Sequence, residues 1–305
     1  MGVIERGNID SHIEHIASQL KNKKASAMVG AGYSFNAVKI DDSVGDYSDW
    51  KQLGILFYEK LHGTGTRPNS DDLDPIALAS EVCREYGRNA VDQIILQAVP
   101  DHGYKPGILH TMLLELPWND VFTTNYDTLL EDASRDLKNP HYMVVADVNS
   151  IPLSGGKSRI IKLHGSYPSN KPWIITKEDY EEYPGRFGVF YNQVISAMSK
   201  DVFCLFGFSG DDPNFIQWCN WIQKELGEYA PSIYIIGFFT EADLMKYKKR
   251  TLNLKIINMG LCEGVHNHAD GLKLFFEKLN QYLMKHPVQE IESKGMISKE
   301  RDIIL

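Results

Sequence analysis

The chain has little cysteine. Its 4 thiols among 305 residues, Cys83, Cys204, Cys219 and Cys262, are widely separated and form no CxxC pair. That spacing gives neither a disulfide framework nor a four-thiolate zinc site, so no metal is expected and a reducing cytoplasm is the simplest compartment. A basic block is also missing. Lys and Arg number 32 against 40 Asp and Glu, a formal net charge of −8, which argues against a phosphate-neutralising surface and against nucleic acid as a direct ligand. No segment reaches the roughly 18 to 20 apolar residues of a bilayer span, and Glu5, Arg6 and Asp10 interrupt the N-terminus before any long apolar core. The chain therefore reads as neither secreted nor membrane-spanning. With 43% hydrophobic residues it carries enough apolar material for one domain of α/β size with room for an insert.

Along the chain, Ile13, Ile16, Ala17 and Leu20 recur at helical spacing behind the capping candidates Asp10 and Ser11, which predicts a first helix running to about Lys23. A short apolar strand, Ala25 to Val29, follows and ends in glycines that let the backbone turn sharply. From Asp49 to Leu116 the pattern is almost wholly helical. Its stripes fall at Trp50, Leu53, Phe57 and Leu61, at Ile76, Ala79 and Cys83, and at Ile94, Ile95 and Ala98, with breaks at Gly63 to Asp74 and Pro100 to Gly107. These stripes read as core faces of a helical insert, about 46–117.

Beyond the insert, strands at Val121 to Thr124, Tyr142 to Ala146, Ile160 to His164 and Val202 to Phe206 alternate with helices from Tyr126 and near Arg186 to Met198. That alternation implies a parallel sheet. Asp211 or Asp212 with Pro213 starts a further helix through Trp218 and Trp221. Ile233 to Phe239 and Leu254 to Met259 add strands before a closing helix near Leu272 to Met284. The fold class is α/β, a Rossmann-like parallel sheet with helices on both faces and a helical insert after the first strand. The domain spans 1–286. The segment 287–305, polar until Ile303-Ile304-Leu305, reads either as an ordered terminus or as the start of a further segment.

Four short motifs sit where apolar strands give way to small or polar residues, the place where a parallel α/β sheet puts its ligand crevice. Met28-Val29-Gly30-Ala31-Gly32-Tyr33-Ser34 comes first. A strand, a glycine turn and a helix N-terminus would let Gly30, Ala31, Gly32 and Ser34 cradle a pyrophosphate on unpaired N–H groups; alternatively the segment is simply a tight strand-to-helix turn. In Thr123-Thr124-Asn125-Tyr126-Asp127, the carboxamide of Asn125 can hold a ribose hydroxyl or a water and the carboxylate of Asp127 can accept from an amide; equally, Asn125 ends a strand and Asp127 caps the next helix. In Lys162-Leu163-His164-Gly165, His164 can accept a proton near neutral pH or serve as a structural histidine. In Gly207-Phe208-Ser209-Gly210, Gly207 and Ser209 suit a phosphate or ribose, or make an ordinary turn. His266 and His268 lack partners at convincing spacing and read as loop residues rather than metal ligands.

Taken together and in this order, the four motifs resemble the sirtuin family. The likeness runs from about Ala25 to Gly210. It implies one site for NAD as substrate: Gly30, Ala31, Gly32, Ser34, Thr124, Gly207 and Ser209 binding the dinucleotide, Asn125 aligning water or ribose at the glycosidic carbon, Asp127 contacting the nicotinamide amide and His164 acting as general base. By the same pattern the strand Ile233 to Phe239 would lie near the adenosine half. Deacylating sirtuins carry a zinc ribbon of two CxxC pairs between the histidine-glycine and glycine-x-serine motifs, whereas here Ser166 to Phe206 contains only Cys204. With the helical insert, this looks like the bacterial sirtuin-like proteins of anti-phage defence, which hydrolyse NAD.

The resemblance thus implies an NAD+ glycohydrolase releasing nicotinamide and ADP-ribose, acting as a homo-oligomer, with an additional defence-system subunit or a C-terminal sensor region as a further partner. Two other functions share the same residues. One is NAD-dependent deacylation or ADP-ribosyl transfer, with a different acceptor. The other is a non-catalytic NAD or ADP-ribose sensor.

Overall fold

A computed structural model describes residues 6–285 except 67, 70–72, 169–170 and 249–253. The expectation for 287–305 lies outside the described residues. The first helix, α1 (Arg6–Lys21), begins earlier than the sequence suggested. Asp10 and Ser11 lie inside it rather than capping it, and the Asp10 carboxylate faces outward to Lys278, 2.9 Å away. Ile9 extends the buried stripe of Ile13, Ile16, Ala17 and Leu20 by another turn, which is why the helix continues toward the N-terminus.

Strand β1 (Ala25–Val29) is buried along its whole length and leads into a 3-10 turn, Ala31–Asn36. A two-residue strand β2 (Val38–Lys39) follows. The insert contains α2 (Trp50–His62), α3 (Pro75–Tyr86) and α4 (Arg88–Ala98), broken at Gly63 to Asp74 as expected and also at Gly87, where φ is +81°. Within the second expected break, β3 (Tyr104–Lys105) pairs antiparallel with β2, a ribbon too short to show periodicity. Helix α5 (Ile108–Leu114) completes the insert.

The remaining chain runs β4 (Asp120–Thr123), α6 (Leu129–Arg135), β5 (Tyr142–Val145), α7 (Ser150–Leu153), β6 (Ser158–Lys162), α8 (Lys177–Arg186), α9 (Gly188–Met198), β7 (Val202–Phe206), α10 (Pro213–Leu226), β8 (Ile233–Gly237), α11 (Glu241–Lys248), β9 (Leu254–Asn258) and α12 (His268–Lys285). Seven strands form one parallel sheet in the order β5-β6-β4-β1-β7-β8-β9. Central strands of such a sheet are covered on both faces, hence their largely apolar runs, with Ser26, Asp120 and Thr123 as buried polar exceptions. Ala27, Val29, Cys204 and Phe206 pack under α1, α5, α6 and α12; Met28, Phe203 and Leu205 pack under α9 and α10 on the opposite face. Helices α2, α3 and α4 build a third core around Phe57, Val82 and Ile95, closed by Trp173 and Ile175 from the loop before α8.

Register fixes where the four motifs emerge. Val29 is level with Thr123 on one side and Phe206 on the other, and Thr123 is level with Lys162. Four adjacent strands, β6, β4, β1 and β7, therefore end at the same height at their carboxyl tips. The order of strand addition also reverses there: strands are added from β1 through β4 toward one edge, then from β7 toward the other, which creates the crevice.

Candidate active site

The first motif does not lead into an α-helix. A 3-10 turn takes its place, anchored by the fully buried Tyr33, whose hydroxyl donates to Leu109 O at 2.7 Å. The backbone donors of Gly30 and Gly32 are already used: they bond Phe206 O at 3.0 Å and Gly207 O at 2.9 Å. The expectation that these two N–H groups form a free phosphate cradle is corrected accordingly. Their glycine identity has a packing cause. A Cβ on Gly30 would fall 2.7 Å from Gly207 O, and one on Gly207, where φ is +56°, would fall 2.2 Å from Tyr33 N. The two glycine turns interlock at backbone contact distance, which only glycine allows.

The second motif is tied to the first through side chains. Thr123 Oγ1 donates to Val29 O at 2.9 Å and accepts from Asn125 N at 3.0 Å. Asn125 Nδ2 donates to Gly30 O at 3.1 Å and to Ser34 Oγ at 3.0 Å, while Ser34 Oγ donates to Asp127 Oδ2 at 2.6 Å. Both amide hydrogens of Asn125 are thus engaged, and its Oδ1 is buried with no partner among the described residues. The other oxygen of Asp127 accepts from Leu129 N at 3.3 Å, so this carboxylate serves the helix start as well as the serine. Helix α6 begins at Leu129 rather than Tyr126, because Asn125 to Thr128 make a turn held by Asp101, which accepts from Thr128 N and Oγ1 at 2.8 Å each. Beneath the turn, the fully buried Lys162 ammonium donates to Asp127 O and pairs with Glu131 at 3.0 Å.

His164 lies one residue past Leu163 and is 2% exposed. Tyr180 and Tyr183 of α8 meet its ring edge-on at centroid distances of 5.6 and 5.8 Å. Its Nε2 lies 3.8 Å from Asp212 Oδ2 and 3.5 Å from Asn214 Nδ2. Burial pulls its pKa down, against an upward pull from Asp212 and then Asp179, so the imidazole is held as a neutral base at pH 7. Asp212, not Asp211, is the N-cap of α10, accepting from Phe215 N at 3.0 Å, with Pro213 in the first turn.

The four motifs line one cleft of ≈ 460 Å³, a size suited to a dinucleotide's reacting half. Ala31, Gly32, Ser34, Thr124, Asn125, Asp127, His164, Gly207 and Ser209 all contribute to its wall. Gly30 stands behind them. In the sequence the rest of the lining reads as a helix start or as core faces, or carries no signal. Tyr180, Asp212 and Pro213 come from beyond the motifs, and Tyr47, Trp50, Leu53, Ile76 and Ala98 come from the insert. The insert stripes are therefore divided: Phe57, Ala79 and Ile95 are core, whereas Trp50, Leu53, Ile76 and Ala98 also face the cleft. A capping aspartate next to proline was visible in the sequence, but its approach to His164 depends on how α10 packs. The end of β8 does not line the cleft: Phe238 N and Phe239 N bond His268 Nδ1 and Asn258 Oδ1 at 3.2 and 3.0 Å. His268 opens α12 and is not a loop residue. Among the described residues no group of three or more His, Cys, Asp or Glu could hold a metal ion.

Residues 119–257 match the family model of the SIR2-like domain. Among curated proteins the chain is 28% identical over 207 residues to the NAD(+) hydrolase ThsA of Acinetobacter baumannii, which is 66% of this chain and 40% of that protein. It is 26% identical over 212 residues to the NAD(+) hydrolase ThsA of Bacillus cereus, covering 68% and 41%. Over 221 residues it is 22% identical to Defense-associated sirtuin 2 of Bacillus subtilis, covering 71% and 21%. The matches thus span less than half the length of each of these relatives. The matched segment, similar to the SIR2-like domain, contains the strand tips at Thr123, Lys162 and Phe206, against which the glycine turn of β1 is locked.

Proposed function

We propose that this cleft binds NAD and hydrolyses the bond between nicotinamide and ribose, and that the protein serves anti-phage defence by depleting NAD. One observation carries the reading: register brings Ser34, Asn125, Asp127 and His164 into a single cleft, with Asn125 Oδ1 buried and without a partner among the described residues. A buried acceptor without a donor costs about 1–3 kcal/mol, a cost that a ribose hydroxyl or the attacking water would remove. The names of the ThsA relatives and of the defence-associated sirtuin support the same reading.

The chemistry suits these groups. Nicotinamide leaves as a neutral base carrying the pair of the broken C1′–N bond, so charge develops on the ribosyl carbon while water forms the new C1′–O bond. Asn125 orients the water or ribose, Asp127 accepts from the carboxamide, and His164, kept neutral by burial, takes the proton that water releases. Ser34 holds Asn125 and Asp127 at a fixed separation through its 3.0 and 2.6 Å bonds. Ala31, Gly32, Gly207 and Ser209 form the part of the wall on which the phosphates would lie, with the Gly32 N–H already committed to Gly207 O. Self-assembly, a further defence subunit or sensor region, and a cytoplasmic location, consistent with four free thiols, belong to the same proposal.

The test is chromatography of NAD incubated with the assembled protein. Nicotinamide and ADP-ribose should accumulate with wild type and fall at least about 10²-fold with Asn125→Ala or His164→Ala. Equal inertness of folded, assembled wild type and both variants would end the hydrolase reading.

A further inference from the structure

We propose that Asp212 is the positioning residue for His164: its carboxylate, fixed at the start of α10 and contacted by Tyr180, balances the charge that His164 acquires on taking the proton of the attacking water. The inference rests on the hydrolase reading and adds a residue that none of the four motifs contains. Its two oxygens do different work. Oδ1 accepts from Phe215 N at 3.0 Å, which is all a helix cap requires. Oδ2 accepts from the Tyr180 hydroxyl at 3.1 Å and lies 3.8 Å from His164 Nε2. That separation is longer than a hydrogen bond, and such contacts tighten when the histidine becomes a cation.

The surroundings leave Asp212 as the nearest counter-charge. From α8, the Tyr180 and Tyr183 rings meet the imidazole, with the Asp179 carboxylate farther off; that carboxylate is already committed to Arg88 at 2.7 Å. From α10 come Asp212 and the uncharged Asn214. The neighbouring Asp211, also on the cleft wall, is exposed and pairs with Lys246 at 2.6 Å. An imidazolium enclosed by two tyrosine rings at 2% exposure would be costly with no carboxylate beside it. Burial lowers the basicity of His164 and Asp212 is the largest influence opposing it, so the pair tunes the base from both sides.

Proton and electron bookkeeping is closed without another reactant. The C1′–N pair leaves with nicotinamide, water oxygen bonds C1′, and the water proton passes to His164, whose charge Asp212 offsets before the proton returns to solvent.

Asp212→Asn tests this cleanly, because Asn caps helices as well as Asp and keeps an oxygen for Phe215 N, while the charge is lost. Three readouts are expected. The His164 titration midpoint, followed by NMR of the carbon-labelled imidazole without NAD and assigned with His164→Ala, should move to lower pH. The turnover number should fall about 10²-fold with little change in KM, and the melting temperature should stay near wild type. An unmoved His164 midpoint overturns the proposal, as does a fall in activity explained by lost folding. A wild type that turns over no NAD sinks the hydrolase reading; the midpoint comparison, made without NAD, still decides whether Asp212 governs the charge on His164.

Discussion

Single residues in this protein are constrained by contacts that the chain makes with itself as much as by any ligand. Gly207 shows this most sharply, since a methyl there would meet Tyr33 N at 2.2 Å and φ is +56°. Gly207→Ala is expected to cost at least about 1–2 kcal/mol from the left-handed backbone alone, and more from the overlap. Urea unfolding would check it, and an unchanged midpoint would show that the two turns are not interlocked. His110 makes a pH prediction. Buried and accepting from Gly107 N at 3.2 Å, it has its pKa pushed down to about 4. A histidine lowered from 6.5 binds its proton in the unfolded state first. The stability it supports is therefore complete above about pH 6.5 and is lost as pH falls toward 4. The shift corresponds to about 3 kcal/mol. In His110→Gln, where Gln can keep the capping-box bond, unfolding free energy measured between pH 7 and 4 should fall less steeply than in wild type. His164, also lowered, contributes with the same sign.

At the scale of elements, what matters is how the insert is held against the sheet. Arg88 at the start of α4 pairs with Asp92 at 3.1 Å and with Asp179 of α8 at 2.7 Å, and donates to Trp173 O; Lys171 reaches Asp92 at 2.6 Å. Both carboxylates are buried, so Arg88→Ala removes the one cation paired with Asp179 among the described residues. The expected loss is about 3 kcal/mol, at the low end for buried pairs because Arg88 is 31% exposed. Hydrogen exchange should rise in 88–98 and 173–179 and less in the central strands. Uniform protection across those segments would mean that the apolar third core alone docks the insert. Since Trp50, Leu53 and Ile76 wall the cleft, the same variant should also weaken NAD binding.

On the scale of the whole molecule, the cleft joins three bodies of packing: two helix layers on opposite faces of one sheet, and the insert. A ligand held by all three stabilises the fold by mass action, about 2.7 kcal/mol at a hundred times its dissociation constant. In His164→Ala, which should bind NAD without consuming it, the melting temperature should rise by several degrees with saturating NAD. No rise at millimolar NAD would argue that the dinucleotide does not bridge these bodies.

The sequence by itself determined the strands, the parallel sheet and the insert, because apolar runs of four or five residues between Gly-, Asn- and Asp-bearing turns admit little else. It also carried the motif residues Ser34, Asn125, Asp127 and His164, each placed at a strand end by its own neighbours in the chain. Short pieces without a period escaped it: the ribbon of Val38–Lys39 with Tyr104–Lys105, the 3-10 turn at Ala31–Asn36, and α11. Only the tertiary structure decided that Val29, Thr123, Lys162 and Phe206 end level. It alone set Gly30 and Gly32 against Gly207, and brought Asp212, Tyr180 and the insert's Trp50 to the same cleft. Register between strands and the docking of helices are properties of paired surfaces, and no stretch of chain encodes them alone.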